Sequence, residues 1–344
     1  KTGKRDKRSV NTGNILFIMS GAFMELAPII QKRLSRQGIG FGARIKKAEE
    51  QVDILKKVRS EDLIEFGFES EFVGRLPVRA IFEHLTEDDL YCILKNPNNP
   101  IILGKKLDFA AYDIEIKFED MLLHKLATYA FAENTGARGL VSAVEKALLE
   151  YERKLPSSDI KKFPATANIL EKPQASIKVL TAPDQKQKTL ELFKRLQQQE
   201  KESIREYLKR NKANLAAKYS LTLTRSRIEL VAACYVNSTM DIGNVIKKIK
   251  SYYDEIKKIE LYFFKNHDIN IVLEEDAIDF IIEQLVESFV EINIIDEKIN
   301  QDFQHGLKLA REKTGRNRFF ITRQALLDPE VYIGNLIKDN LEQT

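Results

Sequence analysis

One eight-residue pattern occurs twice in this sequence and constrains the fold more than any other feature. Tyr112–Glu119 reads YDIEIKFE, and His267–Glu274 reads HDINIVLE. Apolar and polar residues alternate in each copy, which is typical of a β-strand with one buried face. A helical segment precedes each copy, and a helix with apolar periodicity follows it, over Leu122–Ala132 and Ala277–Phe289. The pattern therefore predicts two α+β units, which are either an internal duplication or two units that are alike by coincidence.

A weaker correspondence continues beyond these segments. Gly306, followed by leucine, parallels Gly139, also followed by leucine, and this alignment sets His305 against Arg138. If the repeat is genuine, the second copy keeps the fold and lacks the arginine. The two copies also share a later pair of segments, Phe163–Thr166 and Phe319–Thr322.

The first 85 residues combine strand and helix signals. The continuous apolar run Ile15–Met19 predicts a central strand of a parallel sheet, covered on both faces. A helix is predicted over Met24–Arg36, and Ser60 is the predicted N-cap of a short helix over Glu61–Phe66. Val78–Phe82 alternates and is predicted to be a second strand.

Helices dominate the middle of the chain. They are predicted over Glu119–Ala132 and over Ala137–Lys154, where a proline follows and ends the helix. A strand is expected near Ala165–Leu170, and Pro173–Pro183 is predicted to be a linker. The highly charged segment Lys186–Lys218 predicts a helix that is solvated or partly docked, since its apolar stripe is interrupted between residues 197 and 202.

Composition excludes several classes of protein. Of the 344 residues, 43% are hydrophobic and 31% charged, the net charge is only +4, and no apolar run is long enough to span a membrane. The basic excess of Lys186–Lys218 lacks interleaved aromatic residues, so nucleic acid is an improbable partner. Two cysteines, Cys92 and Cys234, and four scattered histidines offer no metal site and fit a reducing, cytoplasmic setting. No signal peptide is recognised at Lys1, and we interpret the chain as a piece of a longer protein.

Two arginines lie in short sequence motifs that favour phosphate recognition. Arg75 lies between a glycine and a proline, which predicts a rigid corner, and Arg138 lies where a glycine-broken loop enters a helix. A guanidinium on a rigid support suits a phosphate chain and can stabilise the charge that develops in phosphoryl transfer. The alternative is a surface arginine in each case, with Arg138 paired to Glu133 or Glu145.

A glycine-spaced loop carries two large apolar residues. The sequence Gly-Ile39-Gly40-Phe41-Gly disfavours regular secondary structure. Ile39 and Phe41 either fold back onto their own domain or dock into a pocket of a partner.

Four frames together resemble the ClpX-type AAA+ protein unfoldases. Their order and spacing agree with that family from about Ser9 to Leu170, roughly half of the chain. Thr12–Phe23 resembles the family's sensor-1 strand, and Ile39–Ala43 its peptidase-docking loop. Glu61–Pro77 resembles the arginine-finger box, and Gly136–Arg138 the sensor-2 motif.

The resemblance and the segment predictions above together imply a helix-rich α+β fold in four parts. By the resemblance, residues 1–85 would be the C-terminal part of an AAA+ large α/β subdomain, and residues 86–172 the small α+β AAA+ subdomain. By the segment predictions, residues 173–225 would form a linker and charged helix, and residues 226–344 an extension that is either a degenerate repeat of the small subdomain or a second α+β unit alike by coincidence. The part after about Pro173 lies outside the family pattern.

The resemblance also implies roles for particular residues. Arg75 would be an arginine finger acting in trans on the ATP of a neighbouring subunit. Arg138 would be the sensor-2 residue that contacts the subunit's own nucleotide, with Ser20 and Asn14 in the sensor-1 region. Ile39–Phe41, which includes Gly40, would dock a ClpP-type peptidase. The implied partners are that peptidase, protein substrates and further copies in a homo-hexamer, and the implied cofactors are ATP and Mg.

Departures from the family pattern limit this interpretation. The sequence contains no G-x-x-x-x-G-K-[ST] loop and no apolar strand that ends in Asp-Glu, so this stretch should not hydrolyse ATP alone. The family's aromatic pore loop and zinc-binding domain are also not found. We expect the C-terminal portion of an ATP-dependent unfoldase that delivers substrates to a peptidase. The alternative is a non-catalytic docking or regulatory module.

Overall fold

The computed structural model describes residues 9, 11–37, 53–287 and 290–341. About 70% of it is helical, with few, short, parallel strands, which confirms the prediction of a helix-rich α+β AAA+ fold. The chain divides into two compact units, residues 1–85 and 86–344.

The regular elements described in the first unit are helices. Its helices are α1 (Leu26–Gln37), α2 (Ser60–Phe66) and α3 (Ser70–Gly74). Leu26, Ile30 and Val73 are buried. A cluster of four aromatic rings, with centroids 5.7–5.9 Å apart in each contacting pair, packs beside them and comprises Phe23, Phe66, Phe68 and Phe72.

A buried ion pair joins α1 to the start of α2. The Asp62 carboxylate accepts hydrogen bonds from Nε and Nη2 of Arg33 at 2.7 and 2.9 Å and from the backbone N–H of Arg59 at 2.7 Å. Burial alone would raise the pKa of Asp62, but these hydrogen bonds and the charge of Arg33 outweigh it, and the pKa is lowered. Helix α2 therefore begins one residue earlier than predicted, with Arg59 rather than Ser60 at the N-cap.

The two strands predicted in this unit are not formed. Ile15–Met19 is irregular and exposed, with Leu16 82% and Ile18 85% accessible, and Val78–Phe82 is irregular as well. A strand requires a neighbour that satisfies its backbone hydrogen bonds, and the described part of this unit contains no other strand. Apolar composition alone was therefore insufficient to define a strand.

The second unit opens with a small α+β region. Its elements are α4 (Glu87–Lys95), α5 (Pro100–Ala110), β1 (Glu115–Phe118), α6 (Asp120–Ala132), α7 (Ala137–Lys154), β2 (Lys162–Ala165), α8 (Asn168–Glu171) and α9 (Pro173–Thr181). Strands β1 and β2 are parallel, with Ile116 opposite Phe163. The strand expected over Ala165–Leu170 thus lies earlier in the sequence, and the predicted linker is largely helix α9, in which Ile177 is buried.

Helices and a second two-stranded sheet follow. The elements are α10 (Lys186–Arg210), α11 (Lys212–Tyr219), α12 (Arg225–Val236), α13 (Ile242–His267), β3 (Asn270–Leu273), α14 (Glu275–Glu287), α15 (Ile292–Thr314), β4 (Arg318–Ile321), α16 (Arg323–Leu327) and α17 (Pro329–Leu341). The predicted charged helix is therefore two helices, α10 and α11, which meet at Asn211.

The two sheets have the same construction. Strands β3 and β4 are parallel, with Ile271 opposite Phe319, as Ile116 is opposite Phe163 in the first sheet. The residue two positions before each first strand has a left-handed backbone, with φ of 57° at Asp113 and 54° at Asp268. The second small α+β region, around β3 and β4, is thus present as predicted.

The proposed correspondence between the glycines does not hold. Gly139 is the third residue of α7, whereas Gly306 lies in the interior of the 23-residue helix α15. His305 therefore does not occupy a helix start as Arg138 does. The resemblance between the two small α+β regions, around β1–β2 and β3–β4, is confined to the strands, their order and their register.

Each sheet borders its own hydrophobic core. The first core lies among α4 to α9 and includes Phe109, Leu140, Val144 and Tyr151. The second extends from the C-terminal half of α10 to α16 and includes Val245, Phe263 and Phe303. Both cores belong to the unit formed by residues 86–344.

Candidate functional site

Arg138 is held at the start of a long, well-packed helix. It is the second residue of α7, and its side chain is exposed. Leu140, Val144 and Leu148 are buried and fix the helix in the first core. The guanidinium therefore extends from a rigid support.

The start of α7 depends on two glycines, one on each side of Arg138 in the sequence. Gly136, the N-cap of α7, has a φ of 61° and a ψ of −144°, a conformation that residues with a side chain rarely adopt. A Cβ on Gly139 would lie 2.9 Å from the carbonyl oxygen of Ala130 in α6. The close contact between α6 and α7 thus requires glycine and sets the position of the first turn of α7.

The electrostatic setting of Arg138 favours an anion. The first turn of α7 contains no acidic residue, and its free backbone N–H groups carry partial positive charge. Glu133, a partner considered for Arg138, instead binds Lys146 at 2.8 Å. A phosphate group would meet both the helix terminus and the guanidinium here.

Arg75 terminates a short helix. It is the C-cap of α3, with φ −87° and ψ −4°, and its side chain is exposed. Gly74 is helical and does not adopt the left-handed backbone conformation, so the predicted corner does not depend on unusual dihedral angles at this glycine. Val73, two residues before Arg75, is buried and anchors the end of α3.

The remaining predicted site residues are not held by regular structure. Asn14 lies in an exposed turn, and Ser20 in an exposed irregular segment. Ile39, Gly40 and Phe41 lie outside the described residues.

A buried charge cluster was missed by the sequence reasoning. Lys106 and Lys117 converge on Glu200 of α10. The one available signal was the interruption of the apolar stripe between residues 197 and 202, which includes Glu200.

The described residues offer neither a metal site nor a membrane span. No histidine, cysteine and carboxylate side chains there form a group suited to a metal ion. No helix among them has both the length and the apolar character needed to cross a membrane.

Comparison with known proteins finds a related family at the start of the chain. The family "AAA domain (Cdc48 subfamily)" matches residues 2–79. This part of the chain is thus similar to AAA domains.

Curated relatives refine the assignment. A protein of Treponema denticola named "ATP-dependent Clp protease ATP-binding subunit ClpX" is 38% identical over 159 residues, which are 46% of this chain and 38% of that protein. Proteins with the same name from Borrelia duttonii and Borrelia recurrentis are each 42% identical over 159 residues, 46% of this chain and 37% of theirs. These matches support a ClpX-type AAA+ assignment for the N-terminal part of the chain. It spans about two fifths of the length of the curated relatives it matches.

Proposed function

We propose that this chain forms the sensing and coupling part of a ClpX-like, ATP-dependent protein unfoldase that delivers substrates to a ClpP-type peptidase. The observation that carries the proposal is the rigid mounting of Arg138 at the start of α7, in a half of the chain that matches proteins named as ClpX subunits. The subunits would assemble as a homo-hexamer, with a nucleotide at each interface.

Each arginine has a separate role in this proposal. Arg138 contacts the phosphates of the nucleotide bound by its own subunit, and Arg75 reaches the nucleotide of a neighbour. Both guanidinium groups are exposed, as such contacts require. Ser20, with Asn14, orients water or the terminal phosphate.

The fit of the residues to ATP is partial. The chain supplies two cationic donors and a helix N-terminus, but its 344 residues contain no phosphate-binding loop motif. We therefore assign it the coupling role and no share in holding Mg. ATP hydrolysis supplies the free energy for unfolding, and the residues of this chain respond to the charge of the phosphates.

The test is ATP turnover by the full-length protein with single substitutions. Arg75→Ala is expected to lower kcat about 10³-fold, the scale of an arginine finger. Arg138→Ala is expected to uncouple hydrolysis from degradation. The matched controls, Arg79→Ala and Arg153→Ala, replace exposed arginines near Arg75 and on α7 and should leave turnover unchanged. Magnesium-dependent ATPase activity of the 344-residue chain alone would contradict the proposal.

The docking loop has its own test. Ile39, Gly40 and Phe41 are proposed to insert into a pocket of the peptidase, and several weak contacts presented by one ring give firm binding. Phe41→Ala should abolish co-sedimentation of the full-length protein with the peptidase. Unchanged co-sedimentation would remove this loop from the proposal.

The alternative of a non-catalytic module is not favoured. The three relatives described above are all named as ATP-binding subunits.

A further inference from the structure

Three charged side chains meet where the small α+β region contacts α10. Lys106 projects from α5, Lys117 from β1 and Glu200 from α10. The Lys117 Nζ lies 2.8 Å from Oε2 of Glu200, and the Lys106 Nζ donates to Oε1 of the same carboxylate. The lysine side chains are 7% and 3% exposed, and that of Glu200 is 20% exposed. We call these three residues the lysine–glutamate cluster.

The cluster also contacts α12. The Lys117 Nζ donates to the carbonyl oxygen of Val236 at 2.6 Å, at the last residue of α12. The Lys106 Nζ lies 4.9 Å from the ring centroid of Tyr235, within the range of a cation–π contact. Tyr235 in turn donates from its hydroxyl to the carbonyl oxygen of Pro97, in the loop before α5, at 3.4 Å. Elements on both sides of residue 173 thus share one polar network.

Buried apolar side chains on α10 accompany the lysine–glutamate cluster. Phe193 and Leu196 of α10 are 1% and 2% exposed, and α10 packs against both β1 and β2. The ammonium of Lys162 lies 4.8 Å from the ring centroid of Phe193, at the edge of the same contact. Helix α10 therefore covers the outer face of the first sheet, although the family-like pattern ends at about Leu170, before this helix begins.

Charges at this depth require their partners. Desolvation of an ammonium or carboxylate group costs several kcal/mol unless opposite charge and hydrogen bonds compensate. Burial would raise the pKa of Glu200, but the charges of Lys106 and Lys117 and their hydrogen bonds outweigh it, so the pKa is lowered. Glu200 is thus ionised at neutral pH and is a counter-ion for both lysines, and Glu115, 3.3 Å from the Lys117 Nζ, is a second one for Lys117. Any motion that separates α10 from β1 would break the ion pair between Glu200 and Lys117.

We infer that the lysine–glutamate cluster fastens α10 and α12 to the small α+β region, so that these elements move as one rigid body with the helix that bears Arg138. The chain beyond residue 173 is therefore an arm attached to the sensing region. This inference concerns the role of the extension, goes beyond the proposed function and does not depend on it.

Hydrogen exchange of backbone amides in the 344-residue chain tests the inference. Glu200→Gln removes a carboxylate that both buried lysines share, and exchange in α10 and β1 should accelerate at least about tenfold. Exchange in α14 and β4, which belong to the second core, should stay unchanged, since the effect is local. The matched control is Glu206→Gln, on the same helix, whose carboxylate is 47% exposed and pairs with Lys209. Equal exchange in α10 for the two variants would overturn the inference.

A distance measurement on the otherwise unaltered chain keeps the inference falsifiable if Glu200→Gln does not fold. Cys92 is exposed on α4, Cys234 is buried, and Gln198 is exposed on α10. Spin labels on Cys92 and on the cysteine of Gln198→Cys should give one narrow distance distribution by electron paramagnetic resonance. A broad or bimodal distribution would overturn the inference whatever the variants show.

Discussion

The two small sheets of this protein share their strand order and register, and they differ in what covers them. The inward faces are alike, with Ile116 and Phe163 buried in one and Ile271 and Phe319 buried in the other. The outward faces are not. Lys117 lies buried under α10, whereas the corresponding Val272 is only partly buried.

The partners opposite these two residues extend the contrast. Pro164, opposite Lys117, is buried, but Phe320, opposite Val272, is 48% exposed and stacks under Arg318 at 5.2 Å. The outward face of such a sheet can thus be covered by a helix, as α10 covers the first sheet, or left largely exposed, as in the second sheet. The difference resides in a few residues, and substitutions at matched positions can test it.

The largest expected effect is at Lys117. Lys117→Ala removes one partner of a buried ion pair and should cost about 3–5 kcal/mol in the local stability of β1. The matched Val272→Ala removes part of a partly buried side chain and should cost about 1 kcal/mol in β3. Hydrogen exchange gives both as free energies of local opening. Equal costs would mean that the outward faces do not differ energetically.

The inward faces should respond alike. Ile116→Ala and Ile271→Ala each leave a cavity in a fully packed core, and each should cost about 2–5 kcal/mol. The measurement is again local opening of β1 and of β3 by hydrogen exchange. If the cost in one sheet is several times the cost in the other, the inward faces of the two sheets are not energetically equivalent.

The acid response should be specific to the first sheet. The pKa of Glu200 is lowered in the folded chain from its usual value of 4.5. Its contribution to stability is therefore full above pH 4.5 and is lost as the pH falls through the lower, folded-state value. Lys117→Ala removes one of the charges that lower this pKa, so the contribution should be smaller and its loss should be complete at a higher pH. Protection of α10 amides, followed from pH 7 to pH 3 in both chains, checks this, and identical profiles would contradict it.

Sequence reasoning succeeded where a periodic pattern and a stop signal agreed. Alternation located β1 and β3, and apolar spacing followed by Pro156 gave helix α7 its observed bounds, Ala137–Lys154. It also placed Arg138 at a helix start, because a glycine-broken loop precedes it; the role of Arg138 stays a prediction. These features depend on local sequence.

The failures concern features that depend on distant residues. Ile15–Met19 is apolar enough for a central strand, but its backbone needs neighbouring strands that the described part of its unit does not provide. Glu200 lies in a highly charged helix, where a solvated carboxylate is the usual expectation. Its burial follows from two lysines that are 94 and 83 residues away in the sequence. No local pattern encodes that pairing.

The smallest expected effect is at Phe320. Phe320→Ser removes a half-exposed ring and its contact with Arg318, so the local stability of β3 and β4 should change by about 0.5 kcal/mol or less. Hydrogen exchange at two protein concentrations measures this change and shows whether it depends on association. A cost above about 1.5 kcal/mol, on the scale of a fully buried side chain, would mean that the outward face of the second sheet is covered in solution. The two sheets would then differ in which partner covers them, and an open face would no longer distinguish the second sheet from the first.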